Sequence, residues 1–177
     1  MSRQVVTDQQ IIIIGFMGTG KTTVAHELGR KLNCLAVDLD ELIARRESRS
    51  ASEIIEQDGE SEFRRIEAQL LFEALEDSRA RVISVGGGAW TIAANRQRIA
   101  QRGAFTVWLD ADFELCWRRI ESGNVARPLA RSRAMAERLY GERRPVYELA
   151  DAKVTVSEGD SAAEIATRVA NEILRLQ

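Results

Sequence analysis

Eight residues near the start of the chain, Gly15-Phe16-Met17-Gly18-Thr19-Gly20-Lys21-Thr22, fit the pattern G-x-x-x-x-G-K-[ST]. Residues 11–14 before it are all isoleucine, and Val24, Leu28 and Leu32 follow it at helical spacing. This predicts a buried strand over 10–14, a glycine turn, and a helix over 23–32. Such a turn wraps a phosphate: glycines let backbone N–H groups face inward, and the helix N-terminus adds its dipole. Gly18, Thr19, Gly20, Lys21, Thr22 and Thr23 are therefore candidate nucleotide-binding residues. Lys21 would neutralise the β- and γ-phosphates, and the Thr22 hydroxyl would help hold Mg²⁺.

Further strand patterns at 35–37, 81–85, 105–109 and 152–156 alternate with amphipathic helical patterns to the end of the chain. The alternation predicts an α/β fold, a parallel sheet with helices on both faces. At 177 residues the chain is expected to form a single domain, 1–177, with its core at about 10–176. Pro128 and Pro145 are each expected to break or bend the backbone. A net charge of −2 supplies no field that would gather nucleic acid or an anionic membrane. No apolar run is long enough to span a bilayer, and the polar first ten residues carry no signal segment. A cytoplasmic monomer is the expectation. Cys34 and Cys116 are too far apart to suggest a disulfide framework or a zinc site and are expected in the core; the lone His26 is expected on the surface.

Three other stretches carry chemistry. In Leu35-Ala36-Val37-Asp38-Leu39-Asp40 the strand pattern ends at Asp38, on the sheet edge where α/β sites form. If the segment stays extended, Asp38 and Asp40 share one side. One could then serve a metal and the other an acceptor hydroxyl, while Asp40 could also cap a helix starting at Glu41. Gly86-Gly87-Gly88 follows the third strand pattern. It reads either as close backbone approach to a ligand or as a loop needing positive φ. No acidic residue ends that strand, so Asp38 is favoured over Asp110 or Asp112 for the metal. Arg64 and Arg65 point about 100° apart on one predicted helix, 61–75, so at most one faces a pocket. Glu60 and Glu67 lie at ion-pair spacing from Arg64, and a surface ion pair is the competing reading. Residues 118–144 are rich in arginine and include a turn-forming segment around Arg127, which reads as a lid over about 122–133.

The phosphate loop, Asp38-x-Asp40, Gly59-Glu-x-Glu-Phe63-Arg64-Arg65, Gly86-Gly-Gly88, Arg127-Pro-Leu129 and Arg143-x-Pro145-x-Tyr147 occur together and in this order. In that combination the chain resembles the shikimate kinases, a family of the nucleoside-monophosphate-kinase-like P-loop folds. The resemblance implies a three-layer fold with a five-stranded parallel sheet ordered 2-3-1-4-5. It also implies transfer of the γ-phosphate of ATP, with Mg²⁺, to the 3-hydroxyl of shikimate, in aromatic amino acid synthesis. It implies an acceptor-binding region over about 38–66. In that reading Lys21, Asp40 and Arg127 are catalytic, with Asp40 as the acceptor-oriented base. Thr22 and Asp38 serve the metal. Asp40, Arg64, Gly86, Gly87, Gly88 and Arg143 bind shikimate, and Arg118 packs near adenine. The chain departs from the usual family pattern at Leu39, Ile55 and Trp90, and in Ser157-Glu158-Gly159-Asp160. A kinase for another hydroxylated acid, such as gluconate, and a non-catalytic nucleotide-binding regulator are the alternatives.

Overall fold

The computed structural model describes residues 9–123 and 130–175. Its sheet is built from β1 (Ile11–Gly15), β2 (Leu35–Asp38), β3 (Ala80–Ser84), β4 (Phe105–Ala111) and β5 (Ala152–Val156). The strand order is β2-β3-β1-β4-β5 and every pairing is parallel, as expected. β1 is the central strand and is covered on both faces, which suits an unbroken run of isoleucines rather than an alternating pattern. Ile11 to Ile14 are at most 1% exposed. Burial of each contributes about 1.5–3 kcal/mol.

Eight α-helices complete the described residues: α1 (Lys21–Leu32), α2 (Leu39–Glu47), α3 (Ala51–Asp58), α4 (Glu60–Glu76), α5 (Ala93–Gln101), α6 (Phe113–Ser122), α7 (Arg133–Tyr147) and α8 (Ala162–Arg175). The crossover through α1 leads outward from β1 to β2, whereas the later crossovers run the opposite way across the sheet. Right-handed connections therefore put α1 on one face and α4 and α5 on the other. Accordingly α1 packs with α8, and α4 with α5. β1 thus lies where the direction of winding reverses, and its carboxyl end opens into a crevice.

Local chemistry explains the element ends. Asn33, in the left-handed region at φ 50, ends α1, and the Cys34 N–H donates to the Gly29 carbonyl. Ser50 and Glu53 form a reciprocal capping box that starts α3, and Ser161 and Glu164 exchange the same pair of bonds before α8.

Several expectations need correction. Asp38, not Asp40, caps α2: its carboxylate accepts from the N–H groups of Asp40 and Glu41, and Asp40 lies inside the first turn. The two aspartates are therefore not successive side chains of one extended segment. β4 continues through Ala111, which puts Asp110 inside a strand. There it pairs with Arg144 and Lys153. The sequence pattern from Trp90 to Gln101 predicts a helix, but residues 90–92 form a turn and α5 begins only at Ala93. Pro145 does not break α7; the helix runs through it and stops two residues later. Cys34 is only half-buried, while Cys116 is fully buried. Pro128 and half of the predicted lid, including Arg127, lie outside the described residues.

Candidate active site

Glycine is required at Gly18. Its φ is +83, and a Cβ there would sit 2.6 Å from the Cys116 carbonyl oxygen at the start of α6. The loop is held from within, because the Phe16 carbonyl accepts from the Thr19 N–H, the Thr19 hydroxyl at 2.8 Å and the Lys21 ammonium at 2.9 Å. Thr19 is thereby turned into the loop and is 1% exposed. Lys21, Thr22, Thr23, Gly18 and Gly20 face a cavity of about 620 Å³ at the carboxyl edge of the sheet.

The same cavity is lined by Asp38, Asp40, Arg64, Gly86, Gly87, Gly88 and Arg143. Candidates from β2, α2, α4, the loop after β3, and α7 are thus brought to one place. Thr22 donates its hydroxyl hydrogen to Asp38 Oδ2 at 2.7 Å, while Asp38 Oδ1 caps α2. The cap fixes the carboxylate, and the carboxylate fixes the threonine with its oxygen lone pairs free to face elsewhere.

None of Gly86, Gly87 and Gly88 has positive φ, which removes that reading of the triple glycine. Other groups press on them, and at Gly87 a Cβ would also lie 2.9 Å from the Gly15 backbone carbonyl oxygen. A Cβ on Gly88 would lie 2.4 Å from Arg64 Nη2, and one on Gly87 would lie 2.7 Å from the Tyr147 hydroxyl and 3.3 Å from Arg143 Nη1. Two guanidinium groups from elements far apart in sequence therefore rest on consecutive residues of one loop.

Arg64 also makes the ion pairs its spacing allowed, with Glu67 at 2.6 Å and Glu60 at 3.2 Å. The two readings of Arg64 are compatible, since it is only 20% exposed and lines the cavity while paired. Arg65 instead pairs with Glu62 on the surface. Burial works against the Arg64 charge, but Glu67 and Glu60 more than offset it and raise its pKa.

Sequence reasoning missed Glu67 and Ser84 as site residues. Glu67 lines the cavity and is 1% exposed. Burial pushes its carboxyl above the usual glutamate value; Arg64 opposes that shift and neighbouring Asp40 adds to it. The native state therefore holds the Glu67 proton more tightly than the unfolded chain does. By linkage, its contribution to stability falls as pH rises from the ordinary value of 4.5 through the raised one. Glu67→Gln should remove that decline. Thermal melts of both proteins upward from pH 4.5 test it, and parallel pH profiles would refute the assignment.

The candidate Arg118 stands apart from the cavity wall. Arg118 pairs with Glu158 at 2.5 Å on the surface. Its neighbour Arg119, which the motifs did not single out, reaches the Gly18 carbonyl at 3.2 Å. Among the departures from the family pattern, Leu39 is fully buried, Ile55 lines the cavity, and the Trp90 indole donates to the Val146 carbonyl at 2.8 Å. Among the described residues no helix is long and apolar enough to cross a membrane, and no cluster of three or more His, Cys, Asp or Glu could hold a metal.

Comparison with known proteins gives a consistent picture. The family model described as shikimate kinase matches residues 17–174. A shikimate kinase of Cereibacter sphaeroides is 40% identical over 162 residues, which is 90% of this chain and 79% of that protein. The shikimate kinase of Acinetobacter baumannii, solved in complex with shikimate, superposes with a TM-score of 0.88 at 31% identity, over 96% of this chain and 94% of that one. A gluconokinase of Sinorhizobium meliloti superposes at a TM-score of 0.58 with 17% identity, a likeness of fold alone.

Proposed function

The chain belongs to the shikimate kinase family, and on that premise we propose that it transfers the γ-phosphate of ATP to the 3-hydroxyl of shikimate, on the route to the aromatic amino acids. The observation that carries this is the pair Arg64 and Arg143, resting on adjacent glycines in a cavity that also holds the phosphate loop. ATP binding alone needs no such pair. A planar carboxylate between two guanidinium groups does.

In this reading the phosphates lie in the loop of Gly18 to Thr23 and meet the Lys21 ammonium. Asp40, across the cavity, orients the acceptor hydroxyl and takes its proton. Arg64, Arg143 and the Gly86–Gly88 backbone hold the acceptor carboxylate. Arg127 meets the transferring phosphate, and Arg118, beside Arg119 on α6, packs on adenine. Ile55 forms part of the apolar wall against the acceptor ring.

The oxygen donors present suit Mg²⁺. The Ser84 hydroxyl is buried without a hydrogen-bond partner, it stands in register with Asp38 on the adjacent strand, and both line the cavity with Thr22. Thr22 and Asp38 would hold the ion, and the Ser84 hydroxyl is free to bond water around it. When bound, Mg²⁺ would neutralise charge on the phosphates during transfer.

The decisive experiment compares kcat/KM for shikimate and for its uncharged amide analogue. A charge-assisted contact to the carboxylate is worth about 1.5–3 kcal/mol. Arg64→Lys and Arg143→Lys should each lower kcat/KM for shikimate on the order of ten- to a hundredfold. ATP binding should be little changed, and each variant should discriminate less between the two acceptors. If the unaltered enzyme uses the amide as well as shikimate, the two arginines do not clamp a carboxylate.

A further inference from the structure

Arg143 reaches the acceptor cavity from a weak part of its helix. Pro145 has no N–H, so the Gly141 carbonyl lacks its helical donor, and α7 ends at Tyr147. Besides the Arg144–Asp110 ion pair to β4, two bonds from outside the helix hold this last turn on the side of the glycine loop. The Trp90 indole Nε1 donates to the Val146 carbonyl at 2.8 Å, and the Tyr147 hydroxyl donates to the Gly87 carbonyl at 3.1 Å. Tyr147 lies one turn beyond Arg143, and the guanidinium of Arg143 opposes the upward push that burial gives the Tyr147 hydroxyl.

The indole is itself immobilised. Trp90 is 4% exposed, Arg96 lies over its ring at 6.0 Å, and Arg96 Nη1 donates to the Trp90 carbonyl at 2.7 Å. Upstream, the Ala89 N–H donates to the Gly86 carbonyl at 2.9 Å, and the Thr91 hydroxyl to the Gly88 carbonyl at 2.7 Å. The glycine loop and the indole are therefore one braced piece, against which α7 docks. Trp90 does not line the acceptor cavity; it faces a separate surface cleft with Arg96 and Leu149.

We propose that Trp90 is a positioning residue for acceptor capture: its indole N–H fixes the last turn of α7 and so sets Arg143 against Gly87. This rests on the reading of Arg143 as a carboxylate-binding residue. Loss of one hydrogen bond sets the scale of the effect. Trp90→Phe should raise KM for shikimate by about three- to tenfold, with KM for ATP and kcat unchanged. Combined with Arg143→Lys it should add little, because both act on one contact. Tyr147→Phe should behave in the same way, and it carries the test if Trp90→Phe does not fold.

A Trp90→Phe effect shared equally by both substrates, or one that simply adds to that of Arg143→Lys, would assign Trp90 a general structural role and overturn the proposal. So would a Tyr147→Phe penalty that adds to that of Arg143→Lys. Normal kinetics in Trp90→Phe beside a defective Arg143→Lys would end this inference alone. Normal shikimate KM and kcat/KM in Arg143→Lys itself would end the carboxylate reading as well.

Discussion

Lys21→Ala is expected to lower kcat on the order of 10²–10³-fold, the usual cost of removing one preorganised group that meets charge developing in a transition state. The fold should survive. The Phe16 carbonyl that Lys21 contacts also accepts from the Thr19 N–H and hydroxyl, so the truncation leaves no orphaned acceptor. ADP release in a coupled assay, beside a thermal melt, separates the two effects. Turnover close to normal in a folded Lys21→Ala protein would dismiss the proposed nucleotide site.

Asp40→Asn should lower kcat still further, on the order of 10²–10⁴-fold, if Asp40 takes the proton of the acceptor hydroxyl. The amide keeps the size and shape of the side chain but cannot serve as the base. Helix stability changes by only a few tenths to about 1 kcal/mol, because the capping bonds of α2 belong to Asp38. A large kinetic loss in a normally folded protein therefore reports chemistry. The pH dependence of kcat should also lose its acidic limb. A variant that retains both the rate and that limb would remove Asp40 from the role. The next candidate would be Glu67, which stands within electrostatic reach of Asp40 and Arg64.

Much of this arrangement was legible before any coordinates because it rests on short-range signals. The phosphate loop, the run of isoleucines and the alternating helical patterns fixed the fold class, and the family motifs named most of the cavity wall. Asp38 could have been recognised as a cap, since Asp38 and Glu41 have the spacing of a capping box; Asp40 offered a competing signal two residues too late. Glu67 was harder. Its spacing from Arg64 describes a surface ion pair equally well, and its burial depends on distant segments such as Gly86, whose Cβ would lie 3.0 Å from Glu67 Oε1. The bonds from Trp90 to Val146 and from Tyr147 to Gly87 join residues 56 and 60 positions apart. No local pattern encodes such bonds. The same holds for the triple glycine, whose true neighbours are side chains from two distant helices.

The central position of β1 also orders events during synthesis. The strand that carries the phosphate loop precedes both of its sheet neighbours in the chain, pairing on one side with Val82 and on the other with Phe105. The intervening chain must be made, and its loop-closure entropy overcome, before β1 has either neighbour. Nucleotide therefore meets a formed cradle only after β3 and β4 have been translated. Before that point four consecutive isoleucines have no sheet to shelter them, and shielding this early apolar segment falls to transient contacts or chaperones rather than to the ligand.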